Sequence, residues 1–203
     1  MRGWGQMLGE YLPDHMVFTN AAVCGASTRT FPLEKWNSLL ALCPDYVLIQ
    51  FGHNDSHAKE NIESTDAATD YPQNIRRFIL GARSAGVVPV CITPVRRRTF
   101  LDNGRVTGEL EPYAAAMKAV AAELGVPVID LHASSGVLYE RLGETGTETF
   151  TVNKTDNADR PGLGDRTHFT EAGARAVACL VAEALLKILV PDAAPGRRRP
   201  SCS

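Results

Sequence analysis

The chain has 203 residues, of which 44% are hydrophobic, and a formal net charge of −2 at pH 7. This length and apolar content suffice for one sizeable core, and we expect one domain over residues 1–190 and a flexible tail over residues 191–203. The near-neutral charge argues against nucleic acid as a partner, and no apolar run reaches the roughly 18 residues that a membrane-spanning helix needs.

Four short apolar runs have the composition of β-strands. Each lacks a strict alternation of polar and apolar residues, which is typical of parallel strands that are buried on both faces. The predicted strands cover residues 16–20, 45–51, 87–93 and 126–131.

The segments between these runs have helical spacing. Gly86 and Gly125 follow two of them as C-terminal stops, and Thr170 stands where it can cap the last one. The predicted helices cover residues 33–42, 71–85, 109–124 and 171–189. Alternation of strands and helices predicts an α/β fold with right-handed crossovers and an open parallel sheet. Residues 143–166, rich in Gly, Thr, Asp and Asn, are expected to form a long surface loop.

Ligands bind to open parallel sheets beyond the carboxyl ends of the strands. Polar segments follow the first three predicted strands, at residues 20–29, 52–57 and 94–98. We therefore expect the functional residues in these segments and before the last helix.

Asp165 precedes His168 by three residues, directly ahead of the last predicted helix. On a tight turn, the carboxylate can hydrogen bond the imidazole and hold it as a general base. The alternative is an aspartate that caps a turn beside an ordinary histidine.

Asn54 follows the second predicted strand, where its side-chain amide can donate to a developing oxyanion. Gly25, in the segment NAAVCGAS, lets a backbone N–H approach a ligand closely. Considered alone, the Asn54 segment is better explained as a polar turn, and the Gly25 segment equally well as a tight connection between strand and helix.

Gly25, Asn54 and the Asp165–His168 pair, in this order along an α/β chain, resemble three sequence blocks of the SGNH (GDSL-like) hydrolases. A closer resemblance is to the rhamnogalacturonan acetylesterases. It is carried by the sequences GWGQ, NAAVCGAS, YVLIQFGHND, VCITPV and DRTHF, the last followed by EAGA.

The resemblance implies a flavodoxin-like three-layer sandwich with a parallel sheet, and ester hydrolysis by acyl transfer. His168 is then the base and Asp165 its orienting carboxylate, while the Gly25 N–H and the Asn54 amide are oxyanion donors. It implies no metal and no cofactor.

In this family the nucleophile is the serine of a Gly-Asp-Ser motif at the end of the first, central strand. That motif does not occur in the 203 residues, and Ser27, nearest to the expected position, has the sequence context of a turn residue. We therefore expect the serine and its strand to precede Met1. The compartment stays open between two alternatives: cytoplasmic if Met1 is the true start, and secretion as an option if upstream sequence was lost.

Arg97 and Arg98 follow the third predicted strand, near the rim of the expected cleft. They are the candidate contacts to the carboxylates of an acidic polysaccharide such as acetylated pectin, with a solvated loop as the alternative. His53 and His57 lie four residues apart, but no third ligand accompanies them, so no metal site is predicted.

The expected function is removal of O-acetyl groups from an oligo- or polysaccharide such as rhamnogalacturonan or pectin. Two alternatives stay open: an inactive remnant that binds glycan without hydrolysis, and an unrelated flavodoxin-like binding module. The absence of a glycine-rich phosphate loop after any predicted strand argues against nucleotide binding by such a module.

Overall fold

The computed structural model of the chain describes residues 1–152 and 164–189. These residues divide into two compact units, each assembled from separate segments of the chain. The expected tail over residues 191–203 lies outside the described residues.

The first unit, here called the sheet unit, comprises Ala21–Val95 and Gly108–His132. It contains a three-stranded parallel sheet in the order β1-β2-β3. The strands are β1 Tyr46–Ile49, β2 Val88–Ile92 and β3 Val128–Ile129. The predicted α/β class and the parallel sheet are confirmed, although each strand is shorter than its apolar run.

Three helices of the sheet unit follow the predicted order. Gly86 and Gly125 adopt positive φ angles of 76° and 59° just after the second and third of them, which confirms both glycines as helix stops. After Gly125, the Val126 N–H returns to the Ala121 carbonyl at 2.8 Å. The helices are α1 Leu33–Leu40, α2 Asp70–Ser84 and α3 Glu111–Leu124.

The core of the sheet unit joins these helices to the sheet. Trp36 of α1 packs edge to face on Phe78 of α2 at 4.9 Å between ring centroids, and Met117 of α3 joins the same apolar cluster. Ile49 and Cys91 contribute from β1 and β2. Burial raises the pKa of the Cys91 thiol to about 12, so this side chain stays neutral and packs as a small apolar group.

Strand β2 is buried on both of its faces. Its consecutive residues Val90, Cys91 and Ile92 have no exposed surface, and successive side chains of a strand point to opposite faces. This burial accounts for the continuous apolar run that predicted the strand. The polar segments begin where these strands end, because Gln50 directly follows β1 and Thr93 directly follows β2.

The second unit, here called the helix unit, comprises Met1–Asn20, Arg96–Thr107 and the described residues from 133 onward. Its helix α5, Glu171–Leu189, has the predicted bounds. The Thr170 hydroxyl accepts the Gly173 N–H at 3.3 Å, which confirms Thr170 as the N-cap. Helix α5 packs against short 3₁₀ helices at Trp4–Gln6, Leu8–Tyr11 and Glu148–Phe150.

The strand predicted over residues 16–20 is wrong, because this segment forms no strand. The Val17 side chain is 96% exposed. A strand needs a ladder of backbone hydrogen bonds and a buried face, and an apolar composition alone supplies neither.

The loop expected over residues 143–166 is wrong for its first part. Helix α4, Leu131–Thr147, is kinked at Gly143 (φ 70°, ψ 173°) and runs into the 3₁₀ helix Glu148–Phe150. Residues 143–147 contain two glycines and two threonines, which are weak helix formers, so their composition favoured a loop over a helix. Residues 153–163 of the expected loop lie outside the described residues.

Candidate active site

The Asp165–His168 turn lies in the helix unit, just ahead of α5. One carboxylate oxygen of Asp165 lies 2.8 Å from His168 Nδ1. The other accepts the backbone N–H groups of Thr167 and His168, both at 2.9 Å. The carboxylate therefore holds the imidazole and closes the turn at the same time.

The charge state of Asp165 decides what His168 can do. Partial burial acts to raise the pKa of Asp165, but the hydrogen bonds from the two backbone N–H groups and the imidazole outweigh it and lower that pKa. An ionised carboxylate only accepts hydrogen bonds, so neutral His168 carries its proton on Nδ1. Its Nε2 then has a lone pair, on a side chain that is 50% exposed, and can accept a proton from a substrate or nucleophile.

Neighbouring segments of the helix unit hold the residue after His168. Phe169 is nearly buried, and it forms isolated β-bridges with Arg2 and with Thr151. The Arg2 N–H donates to the Phe169 carbonyl at 2.9 Å. The turn is thus fixed on its C-terminal side by contacts with two distant parts of the chain.

Arg98 lies on the inner side of this turn. It has no exposed surface, and its guanidinium donates to the main-chain carbonyls of Asp165 and His168 at 3.1 and 2.6 Å. This burial does not fit the direct contact with a polymer that the sequence predicts for Arg98, because a side chain without surface presents no charge to a ligand. The adjacent Arg97 is partly exposed.

The candidate oxyanion donors lie together in the sheet unit. The Asn54 amide donates to the Ala26 carbonyl at 2.9 Å, which joins the Asn54 turn to the loop that contains Gly25. One of the two N–H groups of this amide is thereby used, and the second has no partner among the described residues. Gly25 is exposed and has φ 76°, a conformation that favours glycine.

Asp55 is the residue of this region that sequence reasoning missed. Its buried carboxylate accepts the Thr28 N–H and hydroxyl, the Gly52 N–H and the Thr65 hydroxyl, at 2.5 to 3.1 Å. Burial, opposed by these hydrogen bonds, raises the pKa of Asp55. Thr28 and Thr65 lie 27 and 10 residues away in sequence, so no local signal could have identified the cluster.

The serines near these loops serve the backbone. Ser27 is buried, and its hydroxyl oxygen accepts the N–H groups of Arg29 and Thr30 at 3.2 and 3.3 Å, as expected for a turn residue. The Ser56 hydroxyl donates to the His53 carbonyl at 2.8 Å. The described hydrogen bonds of the Ser27 hydroxyl join it to Arg29 and Thr30 and not to the histidine that activates a nucleophilic serine.

His57, considered above as a metal ligand, pairs instead with Glu63 at 2.7 Å between Nδ1 and a carboxylate oxygen. Within residues 1–152 and 164–189, no group of three or more His, Cys, Asp or Glu side chains is arranged to hold a metal ion. No helix in the described part of the chain is long and apolar enough to cross a membrane.

The site residues thus come together in two pairs, Asp165 with His168 in the helix unit and the Gly25 loop with Asn54 in the sheet unit. An ionised carboxylate on an imidazole, and amide donors after a parallel strand, are the parts that an ester hydrolase of the SGNH type uses. The sequence model of the GDSL-like Lipase/Acylhydrolase family matches residues 1–176, and the chain belongs to this family.

Two curated relatives come from Bacillus subtilis (strain 168). The chain is 40% identical over 197 residues to rhamnogalacturonan acetylesterase RhgT, which covers 94% of this chain and 83% of that protein. It is 35% identical over 192 residues to the probable rhamnogalacturonan acetylesterase YesY, covering 93% and 85% of the two chains.

Solved structures agree with the fold. The crystal structure of YxiM from Bacillus subtilis matches with a TM-score of 0.77 at 26% identity, over 93% of this chain and about half (51%) of that longer one. The acetyl xylan esterase AlAXEase matches with a TM-score of 0.68 at 21% identity, over 90% of both chains. The family and its acetylesterase relatives identify an ester hydrolase.

Proposed function

We propose that the chain belongs to a carbohydrate esterase that removes O-acetyl groups from an acidic polysaccharide such as rhamnogalacturonan or pectin. The observation that carries this proposal is the 40% identity to a rhamnogalacturonan acetylesterase over 94% of the chain. The Asp165–His168 geometry supports it independently, because it supplies the oriented base that acyl transfer needs.

The proposed mechanism is serine-type acyl transfer. His168 Nε2 takes the proton of the serine hydroxyl as its oxygen attacks the acetyl carbonyl, and Asp165 stabilises the imidazolium that forms. The Gly25 and Asn54 N–H groups donate to the oxyanion. The imidazolium gives this proton to the leaving sugar oxygen. His168 then deprotonates the water that attacks the acetyl-serine, and it returns that proton to the serine oxygen as acetate is released.

Neither serine near the Gly25 and Asn54 loops is assigned as the nucleophile of this mechanism. Ser27 and Ser56 are committed to turns, and no Gly-Asp-Ser sequence occurs. The acyl-transfer step therefore needs a serine other than Ser27 and Ser56, and the coding sequence upstream of Met1 is the place to test for it.

Preference for an acidic polymer is assigned to Arg97. The Arg97 side chain is partly exposed and is adjacent in sequence to the buried Arg98. Its charge can therefore pair with a galacturonate carboxylate. Arg97→Ala is expected to raise KM for acetylated pectic oligomers and to spare a small neutral acetyl ester. Equal effects on both substrates would remove Arg97 from substrate recognition.

The deciding experiment measures acetate release from acetylated rhamnogalacturonan by two proteins. One begins at Met1, and the other includes the natural upstream coding sequence. We expect release by the longer protein alone, and its loss in the His168→Ala variant of that protein. Acetylated xylan, a neutral polymer, is the control substrate.

Each other result points to a different conclusion. Release by the protein that begins at Met1 would show that the nucleophile is already present. Binding of the oligosaccharide without release by either protein would favour an inactive glycan-binding remnant, the second candidate, which the absence of Gly-Asp-Ser from the chain supports.

A further inference from the structure

The burial of Arg98 is the feature that the mechanism above leaves unused. Arginine is rarely buried completely, because its charge loses its hydration there. Burial accordingly lowers the pKa of Arg98, opposed mainly by Tyr139 and Asp165. A position that bears this cost must return a specific benefit to the fold or to the site.

Arg98 donates hydrogen bonds to several main-chain carbonyls of the Asp165–His168 turn. Its guanidinium Nη2 donates to the carbonyls of Asp165 and His168, and its own backbone N–H donates to the carbonyl of Arg166 at 2.9 Å. Three of the four carbonyls of the turn over residues 165–168 are therefore tied to one residue. The backbone that sets the 2.8 Å distance between Asp165 and the imidazole is fixed from inside.

Two aromatic side chains hold the guanidinium in place. It lies over the Phe169 ring, with Cζ 4.6 Å from the centroid. The Tyr139 phenol is fully buried against it: burial raises the pKa of Tyr139 and the Arg98 charge opposes this, so the hydroxyl stays protonated. These contacts hold the guanidinium in the orientation in which it donates to the carbonyls of the turn.

We propose that Arg98 is a positioning residue for the catalytic base: it clamps the main chain of the Asp165–His168 turn and so keeps His168 in its Nδ1–H form. The inference rests on the proposed function for its effect on catalysis. It acts through the turn and not through the substrate, which separates Arg98 from its neighbour Arg97.

Arg98→Lys is the sharpest variant, because it keeps the charge. The lysine chain ends one atom short of Nη2 and has no planar face to stack on Phe169, so the two carbonyl bonds are not both restored. Arg105→Lys is the matched control, since the Arg105 side chain is 75% exposed in the same unit. Both are made in the protein that includes the natural upstream coding sequence.

The first readout is the protonation site of His168, measured by long-range ¹H–¹⁵N NMR and assigned with His168→Ala. We expect the Nδ1–H form in the natural protein and in the Arg105→Lys control, and a mixture with the Nε2–H form in Arg98→Lys. The second readout is kinetic: kcat for acetate release falls about 10- to 100-fold in Arg98→Lys, because a small misplacement of a catalytic group is costly, while KM is unchanged.

A merely structural role would lower the melting temperature and leave the His168 tautomer and the kcat of the folded protein unchanged, which would overturn the proposal. If Arg98→Lys does not fold, Tyr139→Phe removes only the hydroxyl beside the guanidinium, and the same change in tautomer is expected on a smaller scale. An unchanged tautomer there would also overturn it. A protein that releases no acetate but shows the change would refute the proposed function and leave the clamp standing.

Discussion

Replacing Asp55 by asparagine removes the charge from the carboxylate that joins the Thr28, Gly52 and Thr65 segments, with almost no change in shape. One oxygen remains to accept the Thr28 and Thr65 groups that Oδ1 binds. The new NH₂ group then faces the Gly52 N–H, which Oδ2 accepts at 3.1 Å. Two donors thus meet where a donor met an acceptor.

The magnitude is the sum of two effects, the unpaired donor and the lost charge. An unpaired buried N–H costs about 1–3 kcal/mol. Loss of the charge itself is close to neutral, because burial raises the pKa of Asp55 and so already disfavours its ionised form. We expect Asp55→Asn to destabilise the protein by about 1–3 kcal/mol, which lowers the melting temperature by about 2–12 °C in a chain of this size.

The assay is thermal unfolding followed by circular dichroism between pH 4 and pH 8, with the exposed Asp45→Asn as control. Because the pKa of Asp55 is higher in the folded state than in the unfolded state, its stabilising contribution is greatest below the unfolded pKa and declines as pH rises toward the folded pKa. The stability difference between the natural protein and Asp55→Asn should narrow over that window. An unchanged melting temperature, or a difference that widens with pH, would refute this reasoning.

Three further substitutions test the local geometry, each measured by equilibrium unfolding. Asp165→Asn should lose stability at neutral pH, and this loss should shrink only as pH falls below the unfolded pKa of about 3.9 and through the lowered folded pKa, since the carboxylate stabilises the fold while it is ionised; a difference that stays constant through this acid range would contradict this. Gly52→Ala should cost about 1–3 kcal/mol more than Gly86→Ala: both have positive φ, but only at Gly52 would the new Cβ lie 2.9 Å from Pro94. Gly173→Ala should destabilise α5 despite a gain of about 1 kcal/mol in helix propensity, because its Cβ would lie 2.8 Å from two phenylalanine side chains; a stabilised variant would show that these rings yield.

The sequence predicts what neighbouring residues decide. Helix stops at Gly86 and Gly125 and the cap at Thr170 depend on one turn of chain, and all three are confirmed. The contact between Asp165 and His168 spans three residues, so the motif alone indicates it. The alternation of helices and buried strands predicts the α/β class for the same reason.

Features that depend on distant partners gave no such signal. Arg98 meets carbonyls that lie 67 and 70 residues further along the chain, and its neighbouring arginines suggest an exposed basic run instead. Asp55 lies in a segment with the composition of a polar turn, although it is buried. Residues 16–20 have a strand-like composition but form no strand in the described structure, because composition alone does not supply a ladder of backbone hydrogen bonds.

The thiol of Cys91, next to the last residue of β2, can report local opening of the sheet unit. Cys91 is free, buried and held neutral by a pKa of about 12, whereas Cys24 and Cys43 are exposed. Thiol reagents at neutral pH act on thiolates, so they modify the two exposed cysteines at once and reach Cys91 only after the strand leaves its neighbours. The rate at which a thiol reagent labels Cys91 therefore measures how often the parallel sheet opens locally. This rate is independent of motion at the Asp165–His168 turn.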